Sequence, residues 1–217
     1  MTRSILTLVR HGQTDANTGG IWHGSTDTAL SPRGHEQAAR LARAMAGRIE
    51  AVAIYSSDLA RTRDTAAPIA AALGLELRTD ARLREYDLGS WEGKTYRELH
   101  DTHRLWDAIR EDPHFAPHGG ETPLAVSTRF VGILEAISQG HPGERVIVVT
   151  HGGGLSMALG QILDGDYRNW KRVMSNCAVT ELMLDPPPAT LLSFNENWGE
   201  TEDAAEPGRG TNKQKVD

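Results

Sequence analysis

The sequence predicts an α/β fold: a three-layer αβα sandwich around a mostly parallel central sheet, with a helical lid inserted at about residues 94–125. Three observations predict it. Short, nearly continuous apolar runs alternate with longer stretches of helical periodicity, the pattern of strands covered on both faces by helices. Two helical stretches open on a hydroxyl residue followed by proline, Ser31-Pro32 and Thr122-Pro123, where the hydroxyl caps free N–H groups and proline fits the first turn. Two of the apolar runs end alike, at His11-Gly12 and His151-Gly152, at the strand ends where open α/β sheets bind ligands.

The elements follow in order. Ser4 to Val9 is the first buried strand, and Pro32 opens a helix whose apolar positions Ala38, Leu41, Ala42, Met45 and Ile49 share one face. Ala51 to Tyr55 is the second strand. Ser56, Ser57 and Asp58 offer caps for a helix to about Leu73, closed by Gly74. Residues 75–93 read as irregular, and shorter helical pieces fill Thr95 to Arg110. Pro113, Pro117, Gly119 and Gly120 enforce a loop. Thr122-Pro123 then starts a helix to about Ser138, Arg145 to Thr150 is the third buried strand, and Gly152-Gly153-Gly154 leads into a helix through Leu163. Val179–Leu184 and Thr190–Phe194 read as two late strands. After Trp198 apolar residues almost vanish, so one domain is expected over 1–198 and a disordered tail over 199–217.

Composition narrows the function. The chain has 217 residues, 39% of them hydrophobic and 24% charged, an ordinary globular balance. Twenty-three basic against 29 acidic residues give a net charge of −6, which excludes a generally basic nucleic-acid binder while leaving room for a local cationic pocket. No stretch reaches the roughly 20 apolar residues of a membrane helix. The single cysteine, Cys177, cannot form an intramolecular disulfide, and nothing marks export, so a cytoplasmic protein is expected.

Neighbouring strands lie about 4.8 Å apart. If the strands ending in His11 and His151 are neighbours, both histidines face one small site, and the glycines after them let backbone approach a ligand closely. Arg61 falls in the first turn of the helix after the second strand, where the helix start favours anions and a guanidinium adds bidentate recognition of phosphate or carboxylate. Arg10, beside His11, supplies a second fork. Together these residues form a phosphate cage.

Four stretches carry a resemblance. Leu8-Val9-Arg10-His11-Gly12-Gln13-Thr14 with Asn17, then Ser57 to Ala66, then Leu83-Arg84-Glu85-Tyr86-Asp87-Leu88-Gly89-Ser90-Trp91-Glu92-Gly93, and finally Val148 to Gly153 resemble, in the right order, the motifs of the histidine phosphatase superfamily, its phosphoglycerate-mutase-like branch. The resemblance implies that His11 takes the phosphoryl group as a phosphohistidine. It implies that Arg10, Arg61 and His151 hold the phosphate oxygens, helped by Asn17. A bound phosphate dianion would stabilise the charge of a protonated His151. Glu85 would donate a proton to the leaving oxygen and later take one from water. Gln13, His23, Gly24, Gly152 and Glu121 join Asn17 as substrate-binding candidates, and Trp22 is either a wall of the site or packing. The stretch from Arg110 to Glu121 resembles the lid of actinobacterial members of that family.

The implied activity is hydrolysis of a small phosphorylated metabolite, a sugar or glycerate phosphate, and the partner is that metabolite, with a homodimer also expected. Cofactor-dependent mutases of this superfamily carry adjacent lid arginines, and no Arg-Arg pair lies between Glu85 and His151, which favours a phosphatase over the mutase alternative. A non-catalytic phosphate-ester binder is the rival of another class, disfavoured because the residues that match the family's nucleophile and acid are intact. His100 and His103, and His114 and His118, have spacings loosely like zinc ligands, but Pro117 interrupts the second pair and no cysteine pair accompanies either. No metal or cofactor is needed to explain the chemistry.

Overall fold

Leu6 and Leu8 of the first strand are buried on one side of the sheet and Val9 on the other, and Val146 and Val148 alternate in the same way with Ile147 and Val149 in the fourth. That alternation along largely apolar strands is what two covering helix layers require. The computed structural model describes residues 3–184 and 188–199. It contains β1 (Ile5–Arg10), β2 (Ala53–Ser56), β3 (Leu77–Thr79), β4 (Arg145–Thr150), β5 (Val179–Met183) and β6 (Thr190–Glu196). These form one sheet in the order β3-β2-β4-β1-β5-β6. The pairs β3–β2, β2–β4 and β4–β1 are parallel, whereas β1–β5 and β5–β6 are antiparallel.

The helices are α1 (Asp15–Thr18), α2 (Pro32–Ala46), α3 (Ala60–Leu73), α4 (Tyr96–Asp101), α5 (Leu105–Glu111), α6 (Pro123–Gly140) and α7 (Gly152–Asp164). On one face of the sheet, Leu41 and Met45 of α2 and Ile69 of α3 pack on Val9, Ile54 and Val149. On the other, Phe130 and Leu134 of α6 and Leu155 and Leu159 of α7 pack on Leu6, Leu8 and Val148. The expected α/β three-layer sandwich with a mostly parallel sheet is the observed fold.

Ser31 and Thr122 cap α2 and α6, each side chain accepting an N–H three residues on, and Gly74 closes α3 at φ 65°. Two local expectations are corrected. The start of α3 takes no side-chain cap from Ser56, Ser57 or Asp58; Asp27, from a distant loop, accepts the Ala60 N–H at 2.6 Å, while Asp58 pairs with Arg84 at 2.6 Å. Residues 75–93 are not wholly irregular either, since they hold the edge strand β3 and the short 3₁₀ turns Ala81–Leu83 and Gly89–Trp91. Most of the expected tail, residues 200–217, lies outside the described residues. No helix among the described residues is long and apolar enough to cross a membrane.

Candidate active site

The parallel register places Arg10 opposite Thr150, and the His11 N–H continues the ladder to the Thr150 carbonyl at 3.0 Å. His11 and His151 therefore leave adjacent strands side by side, with ring centroids 5.2 Å apart. Above them opens a cavity of about 380 Å³ lined at its inner end by Arg10, His11, His23, Gly24, Glu85, Gly152 and Gly153. That volume lies in the range of roughly 300–1,000 Å³ typical of small-molecule sites.

His11 is buried, and its Nδ1 lies 2.7 Å from the Gly12 carbonyl. A carbonyl only accepts, so Nδ1 carries the proton and Nε2 keeps its lone pair. Burial, Arg10 and Arg61 hold the His11 pKa well below the ordinary histidine value, so the ring is neutral at pH 7 and available as a nucleophile.

His151 is arranged the other way. Its Nδ1 accepts the Arg61 Nε–H at 3.2 Å, and arginine has no lone pair to offer in return, so the single ring proton sits on Nε2. Nε2 is buried without a protein partner. Burial first, then Arg61 and His11, keep the His151 pKa well below the ordinary value. With no anion's charge beside it His151 is a neutral N–H donor at Nε2, and the charged form is expected only against a bound phosphate dianion. His23 behaves similarly, its Nδ1 at 2.7 Å from Thr28 Oγ1 and its pKa pushed down to about 3 by burial, Arg61 and Arg10.

The two arginines also differ. Arg10 gives one Nη1–H to the Met174 carbonyl at 2.6 Å and leaves its buried Nε without a partner, so most of its fork is available to an anion. Gly152 lines the cavity beside it; a Cβ there would stand 3.2 Å from Arg10 Nε. Arg61 is fully buried. Besides His151, its fork donates to the carbonyls of Thr26, at 2.8 Å, and Gly24, and to Thr28 Oγ1 at 3.4 Å. Four of its five N–H groups are committed to the protein, so the free bidentate grip expected of Arg61 is not what the structure shows.

Glu85 is buried at the amino end of α7. Its Oε1 accepts the N–H groups of Tyr86 and Gly154 at 2.8 and 2.7 Å, and Oε2 that of Gly153 at 2.8 Å. These bonds fix the carboxyl at the cavity wall and leave Oε2 with the greater free capacity. A Cβ at Gly153 would lie 2.9 Å from both Glu85 Oε1 and the Trp22 ring, so any larger residue there would displace the carboxyl or the indole.

Several candidates stand apart. Gln13, Asn17 and Glu121 do not line the cavity. The Gln13 side chain receives the Ser31 hydroxyl at 3.2 Å, and Asn17 Oδ1 caps Thr14 N at 3.1 Å and receives Asn176 Nδ2 at 3.2 Å. Glu121 is held by the Arg129 fork at 2.7 and 2.6 Å. The same guanidinium donates to the carbonyls of Arg82 and Arg84 at 2.7 and 2.8 Å, so the pair buckles the segment that ends in Glu85.

The outer wall includes Trp106 and Arg110, from the stretch expected to form a lid, and residues the sequence did not point to: Tyr96, Ser156 of α7, and Arg168, Trp170 and Val173 of the loop after it. Trp22 is both wall and packing, since it lines the cavity while its Nε1 donates to the Tyr86 carbonyl at 3.3 Å. The 165–177 loop also braces His11: Cys177 N donates to the Arg10 carbonyl at 3.0 Å, and Asn176 Nδ2 to the His11 carbonyl at 2.9 Å. The aromatic and cationic run Tyr167-Arg168-Asn169-Trp170-Lys171-Arg172 was the available signal. Among the described residues no group of three or more His, Cys, Asp or Glu side chains is placed to hold a metal ion.

Residues 6–197 match the family model of the histidine phosphatase superfamily, branch 1. A glucosyl-3-phosphoglycerate phosphatase of Mycobacterium tuberculosis is 36% identical over 188 residues, 82% of this chain and 84% of the relative. A probable phosphoglycerate mutase of Cronobacter sakazakii is 32% identical over 184 residues, 83% of this chain and 85% of the relative. Among solved structures, a phosphoserine phosphatase variant from Entamoeba histolytica in complex with phosphoserine superposes with a TM-score of 0.82, at 26% identity, covering 91% of this chain and 100% of that one.

Proposed function

The chain belongs to the histidine phosphatase superfamily, and from that premise we propose that it hydrolyses small phosphorylated metabolites, sugar or glycerate phosphates, through a phosphohistidine on His11. It is a phosphoric monoester hydrolase. The observation that carries the mechanism is the bond from His11 Nδ1 to the Gly12 carbonyl, which turns the bare Nε2 of a neutral, buried ring into the nucleophile.

In the first step Nε2 forms a bond to phosphorus as the P–O ester bond breaks, and Glu85 gives its proton to the departing oxygen. In the second, water gives a proton to Glu85 and its oxygen forms a bond to phosphorus. The P–N bond breaks and its electron pair returns to Nε2. Charge on the equatorial oxygens is met by Arg10 and the His151 Nε2–H, with Arg61 adding positive field from behind. Preorganised donors of this kind supply most of the catalysis in phosphoryl transfer. Burial lowers the Arg61 pKa to about 10, which leaves it cationic at neutral pH. A cytoplasmic setting fits the single, buried, free Cys177.

The test is phosphate release from a panel of sugar, glycerate and amino-acid phosphates in EDTA, with His11→Ala alongside and the isomerised ester measured in the same samples. Release from at least one ester, lost in the variant, is the expected result. Isomerisation without release would establish a mutase instead, and neither product would leave a binding protein.

A further inference from the structure

Glu92 does not line the cavity, yet a chain of bonds runs from its carboxylate to His151. Oε1 accepts the Ser25 N–H at 2.7 Å and the Ser25 hydroxyl at 3.1 Å. Oε2 accepts the Thr26 N–H at 2.9 Å and the Thr26 hydroxyl. Every lone-pair direction of one carboxylate is spent on two residues of a single turn. The approach is close enough to exclude a side chain at Gly24, whose φ is +44° and whose Cβ would meet Glu92 Oε1.

That turn presents its acceptors inward. The carbonyls of Gly24 and Thr26 and the Thr28 hydroxyl take the two Nη groups of Arg61, and Asp27 fixes the start of the helix that carries Arg61. With both Nη groups held, the plane of the guanidinium is set and its Nε–H points at His151 Nδ1, 3.2 Å away. The chemistry of the last contact has one reading. A guanidinium donates only, so the histidine nitrogen it meets must be unprotonated, and the ring proton is placed on the opposite nitrogen.

We infer that Glu92 is a positioning residue for phosphoryl transfer: through the 24–28 turn and Arg61 it holds His151 in the tautomer whose Nε2–H donates to the transferring phosphoryl group. The inference rests on the reading of His151 as a phosphoryl ligand. A clamp that merely stabilised the turn would leave the His151 tautomer alone, and that difference is measurable.

The experiment is the ¹H–¹⁵N spectrum of histidine side chains in the full-length protein at neutral pH, for wild type and Glu92→Gln, assigned with His11→Ala and His151→Ala. The wild type is expected to show His151 as the pure Nε2–H form and His11 as the Nδ1–H form. In Glu92→Gln the amide turns a donor toward the Ser25 or Thr26 N–H, and the His151 signals should move to a mixture of tautomers while those of His11 stay. The same variant should lose tenfold to about 10²-fold in kcat/KM, the order expected when a reacting group is misplaced by about 1 Å. The double variant Ser25→Ala, Thr26→Val keeps the carboxylate and removes two of its four donors, and it should shift His151 in the same direction by less. A wild-type His151 protonated on Nδ1 or on both nitrogens would overturn the inference, as would a folded variant that keeps the pure tautomer. The spectra report the tautomer whether or not any ester turns over, so they judge this relay separately from the phosphatase reading.

Discussion

The carboxyl ends of β1 and β4 carry the same residue at neighbouring positions, and the structure gives the two histidines opposite protonated nitrogens. At the end of β1 the ring meets an acceptor, the Gly12 carbonyl, and presents a lone pair to the cavity. At the end of β4 it meets a donor, Arg61 Nε, and presents an N–H. Both rings are buried and both are held neutral. Burial therefore does not separate their roles. The single neighbour at Nδ1 does, and on the proposed mechanism it makes one histidine a nucleophile and the other a ligand.

The comparison breaks first at His11. His11→Ala should leave less than about 1% of wild-type turnover on every ester, because the proposed first step forms its bond to phosphorus on His11; removing a nucleophile of this kind is among the largest losses known in mutant kinetics. Activity well above that level, measured as phosphate release, would mean that His11 is not the nucleophile. Glu85→Gln separates proton supply from nitrogen chemistry. Alkyl phosphates, with poor leaving groups, should lose about 10²–10⁴ in kcat, while activated aryl phosphates should be nearly spared. Equal losses on both would remove Glu85 from the acid role.

His151→Ala should cost less, on the order of 10²–10³ in kcat, as for the loss of one preorganised donor. A phosphoenzyme should still form on His11, only more slowly, and pre-steady-state labelling distinguishes that from a loss of the nucleophile. The smallest effect is on pH dependence. His11, His23 and His151 all have folded pKa values below the unfolded 6.5 or so. The unfolded chain therefore binds protons that the folded chain refuses once the pH drops below about 6.5, so stability is full above that value and declines below it. The acid limb of kcat/KM should likewise lie below pH 6.5, since only a protonated His11 is inactive. Thermal melts that stay level from pH 7 down to pH 5 would contradict the neutral, buried rings.

The inner half of this site was legible in the sequence and the outer half was not, for a physical reason. His11, Arg10 and His151 sit at strand ends, and strand ends are read from unbroken apolar runs and the glycines that follow them. Arg61 was also found, but its task depends on the carbonyls of Gly24 and Thr26, which no side-chain pattern reports. Glu121 looked like a lid carboxylate reaching for substrate, whereas Arg129, eight residues on, claims both of its oxygens. Arg168 and Trp170 reach the cavity from a loop with no periodicity, and only the tertiary fold brings that loop over His11. The edge strand β3 was missed because its three residues, half-buried Leu77 and exposed Arg78 and Thr79, carry too little apolar pattern to stand out. Helix starts at Ser31 and Thr122 were correct because their caps are local; the start of α3 was not, because its cap, Asp27, comes from another part of the chain.

The central claim is that phosphoryl transfer passes through Nε2 of His11 and not through its neighbour. Rapid quenching of turnover with a ³²P-labelled ester, followed by peptide mapping under alkaline conditions, tests it directly. The expected result is an acid-labile label on the peptide containing His11, present in His151→Ala and absent in His11→Ala. A label on the peptide containing His151, or full turnover with no labelled histidine at any time point, would contradict it.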